Sequence, residues 1–300
     1  MPALDGYRVL VTGGGSGIGE GCAAVLVRDG ATVTLCGRTK ERLDAAAERL
    51  RAAASAGAEV LTCRGDVTVE DDVRTAVEHA SDGGVLHGVV HSAGGSLHMG
   101  PLHLADTDAV RATFELNMMG TFLTLKHAAP ALGRVGGSYV GISSHVAAQT
   151  ERFLGAYASS KAGLDQMLRT AADELGPARI RVNSIRPGII DNELMTAITS
   201  GGPVLDSYLA EIPLARVGTV EDVGELARFL IGPESTWVTG QCIAVDGGQM
   251  LRAGADYSPF AQPVYGEQPG WALVQEWSGA VLGERDGGAD RPVVQEASDG

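Results

Sequence analysis

Tyr7-Arg8-Val9-Leu10-Val11 runs straight into Thr12-Gly13-Gly14-Gly15-Ser16-Gly17-Ile18-Gly19. The first five residues read as a buried strand, and from Gly17 to Arg28 apolar residues recur at helical spacing. A glycine-rich turn placed between a first strand and a first helix has a definite use. Glycine permits the tight turn and lets the backbone approach a pyrophosphate, which then lies at the positive end of the helix. Position gives the motif its weight, because a glycine run elsewhere is only a flexible turn. The segment therefore predicts a dinucleotide-binding β-α unit with Gly13, Gly15, Ser16, Gly17, Ile18 and Gly19 as its phosphate cradle.

Outward from this unit the alternation continues. Thr32 to Cys36 reads as a strand, Lys40 to Ala54 as an Ala-rich helix with outward charges, and Val60 to Cys63 as a third strand. Further strands are expected at Leu86 to Val90, Ser138 to Ile142, Ile180 to Ile185 and Gln241 to Val245, with helical stretches from Asp108 to Leu132 and around Tyr157. Strands alternating with helices imply an α/β fold: a Rossmann-like, doubly wound, parallel seven-stranded sheet with helices on both faces. Right-handed crossovers place the C-terminal strand ends on one rim, where ligands bind. The pattern stops at Asp246-Gly247-Gly248, so residues 1–250 are expected to form one NAD(P)-binding domain and 251–300 an extension. From Gly283 onward the extension reads as a disordered acidic tail, whereas Tyr257, Phe260, Val264, Tyr265, Trp271 and Trp277 could pack on the body or on a neighbouring subunit.

Composition narrows the function classes. A hydrophobic content of 44% over 300 residues is enough for a sizeable core. Cys22, Cys36, Cys63 and Cys242 are dispersed, with no Cys-x-x-Cys pair, which fits a reducing cytosol and argues against a zinc site or a disulfide framework. No apolar run approaches the roughly 20 residues that span a bilayer, and no signal-peptide pattern precedes the first strand, so a cytoplasmic protein is expected. The formal net charge of −14 disfavours nucleic acid and anionic membranes as partners.

Two further groups of residues carry chemistry. Dinucleotide folds selective for NAD commonly place an acid after the second strand, where it binds the ribose hydroxyls. Here that place holds Gly37, then Arg38 and Thr39. Without the carboxylate a 2′-phosphate is not repelled, and a guanidinium binds it through charge-assisted bonds, so NADP(H) is preferred and NAD(H) is the second choice. The other group is Tyr157 and Lys161, at i and i+4 on one helix face, with Ser144 upstream at a strand end. A phenol needs a nearby cation to act as acid or base near neutral pH, since its reference pKa is about 10. Lys161 can be that cation, and Ser144 can hydrogen-bond the substrate oxygen that the phenol protonates.

Taken together, the order and spacing of these motifs resemble the ordinary single-domain branch of the short-chain dehydrogenase/reductase family, from Tyr7 to Gly248. The resemblance implies that Thr12 to Gly19 is the cofactor loop and that Asp66-Val67 contacts the adenine end. It implies that Ala93 and Gly94, and Pro187, Gly188 and Ile190 beside the nicotinamide, also hold the cofactor. Asn117 would complete a catalytic tetrad with Ser144, Tyr157 and Lys161 and hold a water in a proton relay. Tyr157 would protonate the carbonyl oxygen or deprotonate the alcohol, while Lys161 lowers its pKa and binds the nicotinamide ribose. A homo-oligomer, tetramer or dimer, is implied as well. Two positions depart from the family pattern. His91-Ser92-Ala93-Gly94 replaces Asn-Asn-Ala-Gly, giving His91 the sheet-holding role of the first amide, and Asn192 stands where a nicotinamide-binding threonine is usual.

Substrate contacts are expected from Gly95 to Leu104, His145 to Leu154 and a lid from Ile189 to Leu214 hinged at Gly201-Gly202, with His145 and Phe153 lining the pocket beside Ser144. His98 and His103 lack a coherent third ligand, so no metal is expected. The expected activity is an NADP(H)-dependent interconversion of a ketone and a secondary alcohol, on a small molecule the sequence does not name. The alternatives are an enoyl reductase acting on a carbon–carbon double bond and a non-catalytic dinucleotide sensor.

Overall fold

The computed structural model describes residues 3–193, 195–252 and Glu267. The expected extension, with Tyr257, Phe260, Val264, Tyr265, Trp271 and Trp277, lies outside the described residues apart from its first two positions and Glu267.

The strands β1 (Arg8–Thr12), β2 (Thr32–Gly37), β3 (Val60–Arg64), β4 (Gly88–His91), β5 (Ser138–Ile142) and β6 (Arg181–Pro187) are separated by α1 (Gly17–Arg28), α2 (Lys40–Ala52), α3 (Glu70–Ser81), α4 (Thr107–Phe114), α5 (Gly120–Leu132) and α6 (Gly155–Leu175). There follow a short strand β7 (Ile190–Asp191), helices α7 (Thr196–Thr199) and α8 (Pro203–Glu211), the short strand β8 (Gly218–Thr219), α9 (Val220–Ile231) and β9 (Cys242–Val245). The main sheet has seven strands in the order β3-β2-β1-β4-β5-β6-β9, every neighbouring pair parallel. The chain reverses direction across the sheet between β1 and β4, so the loops leaving those two strands open a crevice.

Both faces of the sheet are covered, which is why its strands read as apolar runs rather than as alternating patterns. On one face Val9 and Val11 of β1 join Val33, Leu35, Leu26 of α1, Leu43 of α2 and Leu230 of α9 in one buried cluster. On the other, Leu10 joins Val89, Tyr139, Val77 of α3, Leu132 of α5 and Leu164 of α6. Successive side chains of one strand thus feed two separate cores.

Helices α1 and α9 meet at a pair of glycines. A Cβ on Gly224 would stand 2.9 Å from the Gly21 carbonyl oxygen and 2.9 Å from Val25 Cγ2. Gly224→Val should therefore cost about 1–3 kcal/mol of stability through overpacking. A melting temperature equal to that of the natural protein would show that the helices separate freely.

Several sequence expectations differ from the structure. Strand β4 starts at Gly88 rather than Leu86, because Leu86 still donates its N–H to the Ala131 carbonyl at 3.3 Å. The expected helix from Asp108 to Leu132 is broken by a π-turn over Glu115–Met119. The lid contains a helix, α8, that loop composition does not reveal. Among the described residues no helix is long and apolar enough to cross a membrane.

Candidate active site

The glycine loop leaves β1 and turns at Gly13, whose φ of +66° is left-handed. It lies against the loop after β4: a Cβ on Gly13 would be 2.9 Å from the Ala93 nitrogen. The Gly14 N–H donates to the Cys36 carbonyl at the end of β2, at 3.2 Å. A Cβ on Gly19 would stand 2.3 Å from the Gly13 carbonyl oxygen, so the turn and the helix it opens close on each other only with glycine there. Ser16 precedes α1 without capping it through its side chain, which leaves the helix N-terminus to a ligand. This cradle fits a pyrophosphate.

Arg38 and Thr39 stand exposed just past β2, and the Arg38 carbonyl accepts from Arg64 Nε at 3.1 Å. A second cation missed in the sequence belongs to this end: Arg42, in the first turn of α2, has its Cβ 3.4 Å from where a side chain on Gly15 would begin. Its position one turn after Arg38 was the available signal. Asp66 turns its carboxylate inward on its own loop, accepting from the Thr68 N–H at 3.0 Å and the Thr68 hydroxyl at 2.8 Å. Val67 is buried with Val73 and Leu123. Asn192 lies across the loop from Gly17, its Cβ 3.8 Å from a side chain built there, and donates to the Ile190 carbonyl at 3.1 Å. Ile190 is buried and pairs with Gly218. The turn at Pro187 and Gly188 is tied to the last strand by the Gly188 N–H donating to the Val245 carbonyl at 3.0 Å.

At the ends of β4 and β5 the residues expected to handle the proton come together. Ser144 is buried, and its hydroxyl stands by the Tyr157 phenol closely enough to lower the phenol's pKa. Lys161 is 3% exposed, donates to the Ile142 carbonyl at 2.7 Å and lies 5.8 Å from the centre of the Tyr157 ring. A Cβ on Gly94 would meet Asn117 Oδ1 at 2.7 Å and Lys161 Nζ at 2.9 Å, so three predicted site residues share one corner. Burial pushes the Lys161 amine down to about 8, with the Asp165 carboxylate opposing.

The structure bears on two of the expected roles. Lys161 does not bring the Tyr157 phenol below its ordinary value: burial raises it, Ser144 only partly offsets that, and Glu151 raises it further. The Asn117 side chain is tied into the loop after β4. Asn117 sits on the π-turn, accepts from the Gly95 N–H at 2.9 Å and donates to the Gly95 carbonyl and the Ser160 hydroxyl at 2.9 Å each, which uses both amide hydrogens. It pins the loop that carries Gly94. Such π-turns concentrate at functional sites.

His91 is fully buried, and its Nδ1 lies 3.0 Å from the Thr12 hydroxyl. The same hydroxyl accepts from the Ala93 N–H at 3.2 Å, so Thr12 holds both the ring and the loop after β4. Burial, with the Lys161 charge, pushes the ring down to about 3 and keeps it neutral. His91 thus joins β4 to β1 through its ring, as the amide it replaces was expected to do.

Neither predicted pocket residue presents a free polar edge. His145 is buried, with Nδ1 3.1 Å from the Pro187 carbonyl and Nε2 2.5 Å from Glu151 Oε1. Phe153 is 46% exposed with a φ of +74°, and the Arg152 guanidinium lies 5.0 Å over its ring. Glu151 and Tyr208, which close around His145, went unnoticed in the sequence. A cavity of about 520 Å³ lies under the lid, lined by Ile189, Ile212, Leu214, Arg216 and Asp222; none of the tetrad touches it.

Comparison with known proteins agrees with this geometry. Residues 13–250 match the model of a family described as Enoyl-(Acyl carrier protein) reductase. The trans-4-hydroxycyclohexanecarboxylate dehydrogenase of Sinomonas cyclohexanicum is 33% identical over 244 residues, covering 80% of this chain and 91% of that protein. A short-chain type dehydrogenase/reductase from Mycobacterium ulcerans superposes with a TM-score of 0.82 at 46% identity, covering 88% of this chain and 97% of the other. A 7α-hydroxysteroid dehydrogenase complexed with NADH and 7-oxo glycochenodeoxycholic acid has a TM-score of 0.75 at 29% identity, covering 82% and 94%. With the parallel sheet, the glycine cradle and the Ser-Tyr-Lys corner in place, these matches establish that the chain belongs to the short-chain dehydrogenase/reductase family of nicotinamide-dependent oxidoreductases.

Proposed function

We propose that the protein interconverts a secondary alcohol and a ketone with NADP(H), using Tyr157 as general acid and base. The observation that carries this reading is the corner itself, where the Ser144 hydroxyl adjoins the Tyr157 phenol and a buried Lys161 lies one turn on. A substrate oxygen held between Ser144 and Tyr157 is polarised by the first and exchanges a proton with the second. A bound nicotinamide supplies or accepts the hydride at the adjoining carbon. Because burial raises the Tyr157 pKa, the side chain is a phenol near neutrality and is ready to protonate a ketone. Named relatives that act on ring hydroxyls favour this chemistry. Reduction of a carbon–carbon double bond is the second reading, favoured by the description of the matching family. Product analysis after NADPH oxidation separates the two.

Arg38 and the neighbouring Arg42 support NADP(H) over NAD(H), since no carboxylate occupies the end of β2. Arg38→Asp should lower the ratio of kcat/KM for NADPH to that for NADH by about 10–100-fold, the worth of a lost charge-assisted bond. An unchanged ratio would remove Arg38 from cofactor selection. A screen of ketones and secondary alcohols with both cofactors, in both directions, tests the activity as a whole.

A further inference from the structure

Between Ser144 and Tyr157 the chain has one acid, Glu151, and its side chain is only 19% exposed. Three elements converge on it. Its Oε1 lies 2.5 Å from His145 Nε2, in the turn after β5, and its Oε2 accepts the Tyr208 hydroxyl of lid helix α8 at 2.9 Å. The same histidine reaches the end of β6 through Nδ1, 3.1 Å from the Pro187 carbonyl. Its ring also meets the Tyr208 ring edge-on, with centroids 6.3 Å apart.

The Pro187 carbonyl can only accept, and so can Glu151 when ionised, so in that state both ring nitrogens carry hydrogen and the ring is an imidazolium. Burial alone would lower its pKa, but the Glu151 carboxylate, the Pro187 carbonyl and the Asp246 charge together raise it. Burial works against Glu151 as well, yet its bonds to His145 and Tyr208 hold it below the ordinary carboxylate value. The Gln249 carboxamide borders the pair, its nitrogen 3.4 Å from the ring Nε2.

We propose that the His145–Glu151 ion pair is a fixed post on which Tyr208 seats the lid helix, which makes Glu151 and Tyr208 positioning residues for the substrate beside Tyr157. The pair is charged and mostly dehydrated, so removing one member strands the other. The lid is otherwise lightly held, since α8 has no fully buried residue. Among the described residues the titratable groups that act on the post are Asp246 after β9, Tyr157 on α6, and Tyr208 and Glu211 on α8. Glu151 also acts on the phenol, whose pKa it raises, so it links the seat of the lid to the acid of the reaction.

The role in substrate binding rests on the activity proposed above; the charged post does not. Full-length protein labelled with ¹⁵N-histidine is titrated by NMR, and amide hydrogen exchange over 203–211 is followed in the natural protein, Glu151→Gln and Tyr208→Phe. One histidine should carry two N–H groups at pH 7.5 and lose one in Glu151→Gln, while α8 exchanges faster in both variants. With cyclohexanone and NADPH as the probe pair, Tyr208→Phe should raise KM about tenfold with kcat nearly unchanged, as for a lost bond to a charged group. In Glu151→Gln the pH profile of cyclohexanol oxidation by NADP⁺ should move to lower pH, which loss of packing alone would not produce.

A neutral His145 in the natural protein, or unchanged exchange over α8 in both variants, overturns the proposal. If Glu151→Gln does not fold, the natural protein's spectrum and the Tyr208→Phe exchange still decide it. Absence of turnover on any ketone or alcohol, with the spectroscopic results as expected, would instead sink the proposed activity and leave the post standing.

Discussion

Tyr157→Phe should lower turnover by about 10²–10⁴-fold, the usual worth of a positioned acid or base, and leave NADPH affinity close to that of the natural protein. The substitution keeps the ring against which Lys161 lies at 5.8 Å and removes only the hydroxyl beside Ser144. Ser144 would still polarise a carbonyl oxygen, but no proton would reach it. Steady-state reduction of a ketone with NADPH, together with fluorescence titration of NADPH, separates chemistry from binding. Turnover within tenfold of the natural protein would dismiss Tyr157 as the acid. The pH dependence follows from the direction of the phenol's shift. With the Tyr157 pKa raised by burial, reduction, which needs the phenol, should hold through neutral pH and fall only where the phenol ionises. Oxidation, which needs the phenolate, should rise over that same alkaline range.

Gly19→Ala should have the second largest effect, and it acts on the cofactor rather than on the proton. The added methyl would stand 2.3 Å from the Gly13 carbonyl oxygen and 2.7 Å from the Gly13 carbonyl carbon, both backbone atoms that no rotamer change can move. The turn must open. The strain is about 1–3 kcal/mol, and it falls on the part of the loop that would hold the pyrophosphate, so NADPH affinity should weaken about tenfold or more. Gly176→Ala is the matched control, because nothing lies within 4 Å of its added methyl. Calorimetric titration of NADPH into both variants gives the comparison. Gly19→Ala binding as tightly as the control would mean that the cofactor lies elsewhere.

Much of the fold was legible because its signals are local. Val9, Leu10 and Val11 announce a strand covered on both faces, and Gly17 to Arg28 announces the helix with the bounds the structure gives it. The π-turn at Glu115–Met119 escaped notice because the helical periodicity on either side of it is nearly continuous. In the candidate site the local part was legible. Ser144, Tyr157 and Lys161 are short-range neighbours whose spacing already puts two of them on one helix face.

By itself, then, the sequence determined the parallel sheet and the glycine-rich turn between its first strand and first helix, since periodicity and short spacings encode which face a side chain takes. Only the tertiary structure decided what the residues of the candidate site meet. His145 finds Pro187 42 positions away and Gln249 104 positions away, Glu151 finds Tyr208 57 positions away, and no local pattern records such pairings. Protonation follows from them. Placing His145 beside the Glu151 carboxylate and the Pro187 carbonyl raises its pKa against the effect of burial, burying His91 keeps it neutral, and burying Tyr157 raises its pKa even with a lysine one turn along the helix. The physical reason is that the charge state of a side chain depends on its desolvation and its partners, and both exist only once distant segments have packed.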